Sequence, residues 1–419
     1  MVHTDTMHVI HARAAGLDVH KMQITAAVRL ARPGAEAEVF TRTFSALPSG
    51  LEELVAWLLE HRVSAAVIES TGIYWEAPYR ALEQTGLQVL LVHPQHVKQI
   101  KGRKTDIADA VWLARICQFG LCSNSLILPQ RFRALRKVSR LRRQVVRERA
   151  RMRNRAHKIL DAAGVRVGGV LSDLFGMNGL RILEGLVEAT PAEAILASLS
   201  HHVRARMETL CDALSAELDE HSRFMLHDQL HAFHAVTARI AHYDRIIEDG
   251  LAEFSAKIDL LMTIPGIDRH SACAILVELG PDMGAFASAR HCAAWAGVCP
   301  GNNKSAGKRR RGRARHGNPT LREVLIECAH GAARTNHCQF LGYHKALMVR
   351  RGYKRATVAT AHKLLRVIYC VLSSNVPYRD PETDYEALMV KRNAPRWIKM
   401  LKKYRIDPAT GETIQPATA

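Results

Sequence analysis

GLDVHKMQITAAVRLARPGAEAEVFTRTF, residues 16–44, decides how the front of this chain folds. GLDVH, QITAAVRL and EVFTRTF are three short runs rich in β-formers, separated by breaks the size of turns, and that pattern predicts an antiparallel meander. LEELVAWLLEH then has helical spacing, SAAVIES is a short apolar strand, YWEAPYRALEQTG is a helix closed by Gly86, and QVLLVHP is another strand. From Asp106 onward, DIADAVWLARICQFG reads as a helix that carries Asp106 and Asp109 in its first turn, where the helix dipole favours negative charge.

Three meander strands followed by alternating helix and strand is the order of the RNase H fold, an α/β class in which the first and fourth strands are neighbours. That adjacency would bring Asp18 and Glu69 together across about 50 residues. Asp106 and Asp109, three apart, project from one helix face. Four carboxylates so placed suit hard divalent cations such as Mg²⁺, and two such ions about 4 Å apart can stabilise both the attacking and the leaving oxygen of a phosphodiester. Singly, each acid is ordinary: Asp is common at helix starts, and Glu69 is a strand-end carboxylate. An acid ending an apolar strand is costly without a partner, and the constellation says more than its members.

The chain has 419 residues, too many for one core, and a formal net charge of +19. Such basicity points to a polyanion, most simply nucleic acid. The charge is segmental. Residues 1–130 are neutral, whereas residues 131–170 carry fourteen cationic against two acidic side chains, residues 171–260 are net acidic, and residues 261–419 are basic again. Nine scattered cysteines form no CxxC pair, so neither a zinc knuckle nor a disulfide framework is indicated. With no signal-like start and no apolar run of membrane length, a cytoplasmic protein is expected.

Four regions follow: a catalytic domain over 1–130, a helical, coiled-coil connector over 131–257, a mostly α domain over 258–375, and a basic, extended tail over 376–419. RFRALRKVSRLRRQVVRERARMRNRAHKILD predicts one long basic helix, with Arg136, Arg140 and Arg143 among its candidate phosphate contacts. Leu210, Leu214 and Leu218 recur at intervals of four, a pattern of long helices that pair with one another or with a second subunit. LLMTIPGIDRHSACAILVELG predicts a helix-hairpin-helix turning at Pro265-Gly266-Ile267, a device that offers backbone N–H groups to phosphate. WAGVCPGNNKSAGKRRRGRARHGNPTLREVLIECAH surrounds Ser305 with Lys304, Lys308, Arg309, Arg310, Arg311, Arg313 and Arg315. From chemistry alone Ser305 is either a phosphate hydrogen-bond donor or a nucleophile whose alkoxide the cations favour.

GLDVHK with Asp18, ESTGIYWEAPYRAL with Glu69, VHPQHVKQIKGRKTDIADAVWLA with Asp106 and Asp109, and AGVCPGNNKSAGKRRRGRARHGNPTLR with Ser305 together resemble the DEDD-type insertion-sequence transposases, the bridge-RNA-guided recombinases. The resemblance implies a RuvC-like first domain whose four acids bind Mg²⁺, a coiled-coil connector, and a second domain whose serine, here Ser305, attacks DNA to form a covalent phosphoserine. It further implies a homo-oligomer, dimer or tetramer, with composite sites, and a structured guide RNA that pairs with donor and target DNA. The family serine is often followed directly by glycine; here Ala306 precedes Gly307. Two other functions fit the residues: a metal-dependent junction-resolving nuclease that uses water, and a non-catalytic nucleic-acid-binding protein.

Overall fold

A computed structural model of the chain describes residues 8–32, 34–70, 72–94, 105–122, 124–300, 304–305, 308–309, 317–381, 383, 385–407 and 409–413, of which 202, 204, 205, 304, 305, 308, 309, 386 and 389 are described in backbone only. Two compact units divide it, Met1–Ile127 and Leu128–Ala419.

The first unit is built on a five-stranded sheet of β1 (Arg13–Val19), β2 (Gln23–Arg32), β3 (Ala35–Ser45), β4 (Ala65–Glu69) and β5 (Gln88–Val92), in the order β3-β2-β1-β4-β5. The expected meander is present: β1–β2 and β2–β3 are antiparallel, and β4 joins β1 in parallel with Leu17 opposite Ile68. β5 extends the parallel half, with Glu69 opposite Val92. Strand alternation sorts the side chains into two layers. Ala15, Leu17, Val19, Ile24, Ala26, Val28, Ala66 and Ile68 face a core completed by Leu54, Trp57 and Leu58 of α1 (Pro48–Glu60) and Leu82 of α2 (Glu76–Glu83). On the opposite face, Ala14, Ala65, Val67 and Val92 meet Leu113, Ile116 and Cys117 of α3 (Asp106–Gln118). Each fully buried Leu or Ile in these layers contributes about 1.5–3 kcal/mol relative to exposure.

In the second unit the predicted basic helix runs from Gln130 to Ala162 and packs against the helix Glu220–Gly250 of the same chain. Arg131 donates to the Gly250 carbonyl at 2.7 Å, Arg142 pairs with Asp244, Val145 packs on Val236 and Ile240, and Arg155 reaches Gln229, so the two run antiparallel. The far end of the pair shares a core with short helices: Leu160, Ile182, Leu183, Ile195, Leu210, Leu226 and Phe233 are all buried in it. Leu210, Leu214 and Leu218 lie in that core, but not on one helix. The helix Met207–Ala213 stops before Leu214, and Asp219 opens the next by accepting from the Ser222 amide at 2.9 Å, a cap that competes with helix continuation.

The helices Ser255–Met262 and Arg269–Leu279 flank the Pro265-Gly266-Ile267 turn. A β-carbon on Gly266 would lie 2.4 Å from the Cys328 carbonyl oxygen of the helix Pro319–Ala332, so close packing alone accounts for the glycine. The tail departs from the extended form expected of it. Tyr385–Lys403 is helical despite Pro395, rooted where Tyr385 meets Tyr343 and Lys363. Among the described residues no helix is long and apolar enough to cross a membrane.

Candidate active site

Asp18 occupies the penultimate position of β1 and Glu69 the last of β4. With Leu17 opposite Ile68, the next residues along these parallel neighbours are Asp18 and Glu69, which share the α3 face with Gly16, Ala65 and Val67. Asp106 and Asp109 lie in the first turn of α3, which Thr105 starts by accepting from the Ala108 amide at 3.2 Å. What carries that turn to the strand ends is the crossing at Gly16. A β-carbon there would come within 2.2 Å of the Ala110 carbonyl oxygen and of the Ala114 amide nitrogen, and the facing Ala27, Ala110 and Ala114 are equally small. The helix therefore lies directly on the β1 backbone.

His20, just past β1, links the two sources of carboxylate: its Nε2 is 3.3 Å from Asp18 Oδ2 and 3.6 Å from Asp106 Oδ1. Gln23 of β2 donates to Asp106 Oδ2 at 3.3 Å. Ligand atoms of Asp18, His20 and Asp106 all lie within 4.8 Å of one another. Burial raises the Asp18 carboxyl above its ordinary range; His20 opposes this, while Asp106, Asp109 and Glu69 each push it further up. The other three expected acids thus each act electrostatically on Asp18. Carboxylate oxygens that repel Asp18, with one imidazole beside them, fit a hard divalent cation, which would offset the burial and repulsion that raise Asp18. His20 and Gln23 are contacts that sequence reading did not single out, although the i, i+2 spacing of Asp18 and His20 on one strand edge is a signal for the former.

Ser305 lies in a two-residue strand, Lys304–Ser305, paired antiparallel with Lys308–Arg309, Ser305 opposite Lys308. Arg310, Arg311, Arg313 and Arg315 lie outside the described residues. Where the segment returns, Gly317 packs against Gly297 so closely that a β-carbon would lie 2.4 Å from the Gly297 nitrogen, and the Asn318 amide donates to the Trp295 carbonyl at 3.1 Å. Asn318 then caps the helix Pro319–Ala332, accepting from Leu321 at 3.1 Å, and its Nδ2 donates to Glu278 at 2.5 Å.

Glu278, fully buried, is also the target of the basic helix. Arg140 grips its carboxylate with two hydrogen bonds of 2.8 and 2.9 Å, and Arg136 donates to its backbone carbonyl at 2.7 Å. Arg143 pairs with Glu327 at 2.9 Å and Glu323 at 3.4 Å, both on the helix Pro319–Ala332. Arg136, Arg140 and Arg143 are therefore engaged within the unit, tying the basic helix to the helices on either side of the Ser305 segment.

Comparison with known proteins bears on this arrangement directly. Residues 15–164 match a family model described as a transposase of the DEDD type, and residues 258–345 match the model of the transposase IS116/IS110/IS902 family. The chain belongs to the IS110-type DEDD transposases. It is accordingly a DNA transposase or recombinase. Among its relatives, a probable family 20 transposase of Pseudomonas aeruginosa is 28% identical over 73% of this chain and 82% of its own length. The transposase for insertion sequence element IS1111A of Coxiella burnetii is 26% identical over 78% of this chain and 82% of its own. A pilin gene-inverting protein of Moraxella bovis is 23% identical over 80% and 89%. The first IS110-type match takes in the acidic cluster and the basic helix, and the second takes in Glu278, Ser305 and Asn318.

Proposed function

We propose that this IS110-type transposase cuts and rejoins DNA by transesterification at Ser305, with Asp18, Glu69, Asp106 and Asp109 holding Mg²⁺ in a RuvC-like, RNase H-fold first domain, and with a guide RNA selecting the DNA by base pairing. The observation that carries the proposal is the partly buried Asp18, beside Glu69 on the adjacent strand end and within reach of Asp106 at a helix start, with three carboxylates acting on it electrostatically. When bound there, Mg²⁺ supplies electrostatic stabilisation for the charge that develops on a phosphodiester under attack. Asp18, less exposed than Asp106, holds the strand side of the cluster, and Gln23 and His20 orient Asp106 beside it.

Ser305 Oγ attacks phosphorus, a serine–phosphorus ester forms, and the bond to one DNA oxygen breaks; that oxygen takes up a proton and leaves as an alcohol. The serine proton passes to solvent. One ester replaces another, so a second DNA hydroxyl can displace Ser305 and reseal the strand without an energy source. Lys304, Lys308 and Arg309 supply positive charge next to the nucleophile in sequence, where it favours the alkoxide. Rejoining is favoured over hydrolysis by the Moraxella relative, since inverting a gene requires every cut strand to be resealed.

Alanine at Asp18, Glu69, Asp106, Asp109 or Ser305 should abolish recombination of a reporter plasmid in cells while nucleic-acid binding persists. Normal recombination by the Ser305→Ala protein would remove the nucleophile role; normal recombination by the Asp18→Ala protein would remove the metal site.

A further inference from the structure

Two helices of this chain carry their cations differently. Along the basic helix Gln130–Ala162, Arg131, Arg140, Arg142, Arg143, Arg147 and Arg153 are each paired with an acid: Glu253, Glu278, Asp244, Glu327, Glu323 and Asp173. The terminal helix Tyr385–Lys403 is the opposite case. Lys391, Arg392, Arg396, Lys399, Lys402 and Lys403 are all exposed, and none has an acidic partner among the described residues. The only acid in the helix sequence is Glu386, at its start.

At about 100° per residue these six fall on one side of the helix, within an arc of roughly 140° and over an axial length of about 18 Å. Arg392 with Arg396 and Lys399 with Lys403 are like-charged i, i+4 pairs, and Lys399 with Lys402 is an i, i+3 pair, all of which repel in the free protein. On the other side Ala394 and Leu401 are half-buried, while Val390, Trp397 and Ile398 are exposed, as are all six cations. The helix is also fixed at its root. Lys363 Nζ donates to the Tyr385 hydroxyl and lies 4.2 Å from the centre of the Tyr385 ring and 4.8 Å from that of Tyr343, and the two tyrosine rings meet edge to face at 5.4 Å.

We propose that the basic side of the helix Tyr385–Lys403 is a docking surface for the phosphate backbone of duplex DNA, contacted through Lys391, Arg392, Arg396, Lys399, Lys402 and Lys403. A row of unpaired cations that repel one another gains most from a partner that presents closely spaced negative charge, and duplex DNA carries one per about 1.7 Å of its axis. The contact is to backbone rather than bases, so it adds affinity without sequence preference. An anionic membrane is the other polyanion a basic helix can meet, by inserting an apolar side, and Val390, Trp397 and Ile398 are exposed beside the half-buried Ala394 and Leu401; duplex DNA is the occupant that fits a DNA transposase or recombinase, and vesicle binding is the outcome that would favour the membrane instead. The proposal does not depend on the role of the acidic cluster or of Ser305.

The test uses the full chain carrying K391Q, R392Q, K399Q and K402Q together, and a second variant with Lys and Arg exchanged at the same four positions. Binding to a random-sequence DNA duplex is followed between about 50 and 200 mM salt, with double-stranded RNA and phosphatidylserine vesicles as parallel probes. The expected result is that the glutamine variant loses roughly tenfold or more in DNA affinity at low salt and that its log–log salt slope becomes shallower by about 3–4, near 0.9 per lost phosphate contact. The charge-preserving variant should bind as the parent does. An unchanged slope, an equal loss in both variants, or a loss confined to RNA or to vesicles would overturn the proposal.

Discussion

Gly16 and Ala110 touch backbone to backbone: a β-carbon on the glycine would sit 2.2 Å from the alanine carbonyl oxygen. No side chain at position 16 can be accommodated unless α3 lifts from β1, and α3 carries two of the four acids. Gly16→Ala should therefore cost about 3 kcal/mol or more, the upper end of overpacking penalties, and should separate Asp106 from Asp18. Urea unfolding checks the first effect, and divalent-ion titration of the folded variant checks the second through weaker binding. Parent-like stability would show that the helix has room to move.

Asp18 gives a pH signature. Its carboxyl titrates above the ordinary 3.8 because burial and three neighbouring acids disfavour the charge. A raised folded value means that this group's contribution to stability is fully present below its unfolded pKa and is lost as pH rises through the folded one. Asp18→Asn removes the charge that causes the loss. In chelator, the variant should melt above the parent at neutral pH and converge with it in acid; a variant that melts lower at neutral pH would contradict the assignment of burial and repulsion as the dominant effects.

Glu278 is fully buried, and Arg136, Arg140 and Asn318 all donate to it. Removing its carboxylate strands the largely buried Arg136 and takes both charge-assisted hydrogen bonds from the more exposed Arg140, so Glu278→Ala should lose about 2–3 kcal/mol in a denaturant melt. Because Asn318 also caps the helix after the Ser305 segment, Asn318→Ala should cost a further, smaller amount, about 1 kcal/mol. Near-zero losses for both would mean the network is not formed in solution.

The thiols separate by environment. Burial pushes Cys117 and Cys292 up to about 12 and Cys328 up to about 11, whereas Cys211 and Cys370 are exposed. At pH 8 the buried thiolates are populated at roughly one part in a thousand or less. Alkylation of the native protein should label Cys211 and Cys370 first, as read by peptide mass spectrometry, and early labelling of Cys117 would indicate that α3 opens.

The strands, the long basic helix and the adjacency of the strands that carry Asp18 and Glu69 are legible because each rests on a local pattern: short β-rich or apolar runs in 13–19 and 65–69, helical spacing over 130–162, and the strand order those elements imply. His20 and Gln23 were not legible as partners of Asp106, because that contact exists only once α3 crosses β1 at Gly16. Arg136, Arg140 and Arg143 show a second limit. Net charge marks a helix as basic but says nothing about which cations turn inward, and Glu278, the partner of two of them, lies 138 residues from Arg140. The tail was read as extended from its Pro, Gly and Lys content, yet Leu401 and Ala394 find enough cover, and Tyr385 enough of a socket, to hold a helix. Leu218 followed the spacing of a helix that Asp219 instead begins anew.

The most direct test of the central claim is mass spectrometry of the protein after reaction with its DNA in Mg²⁺, denaturation and exhaustive nuclease digestion. The expected result is a phosphonucleotide esterified to Ser305, absent from the Asp18→Ala and Ser305→Ala proteins. Cut DNA with free ends and unmodified Ser305 peptide, formed equally well by the Ser305→Ala protein, would contradict it.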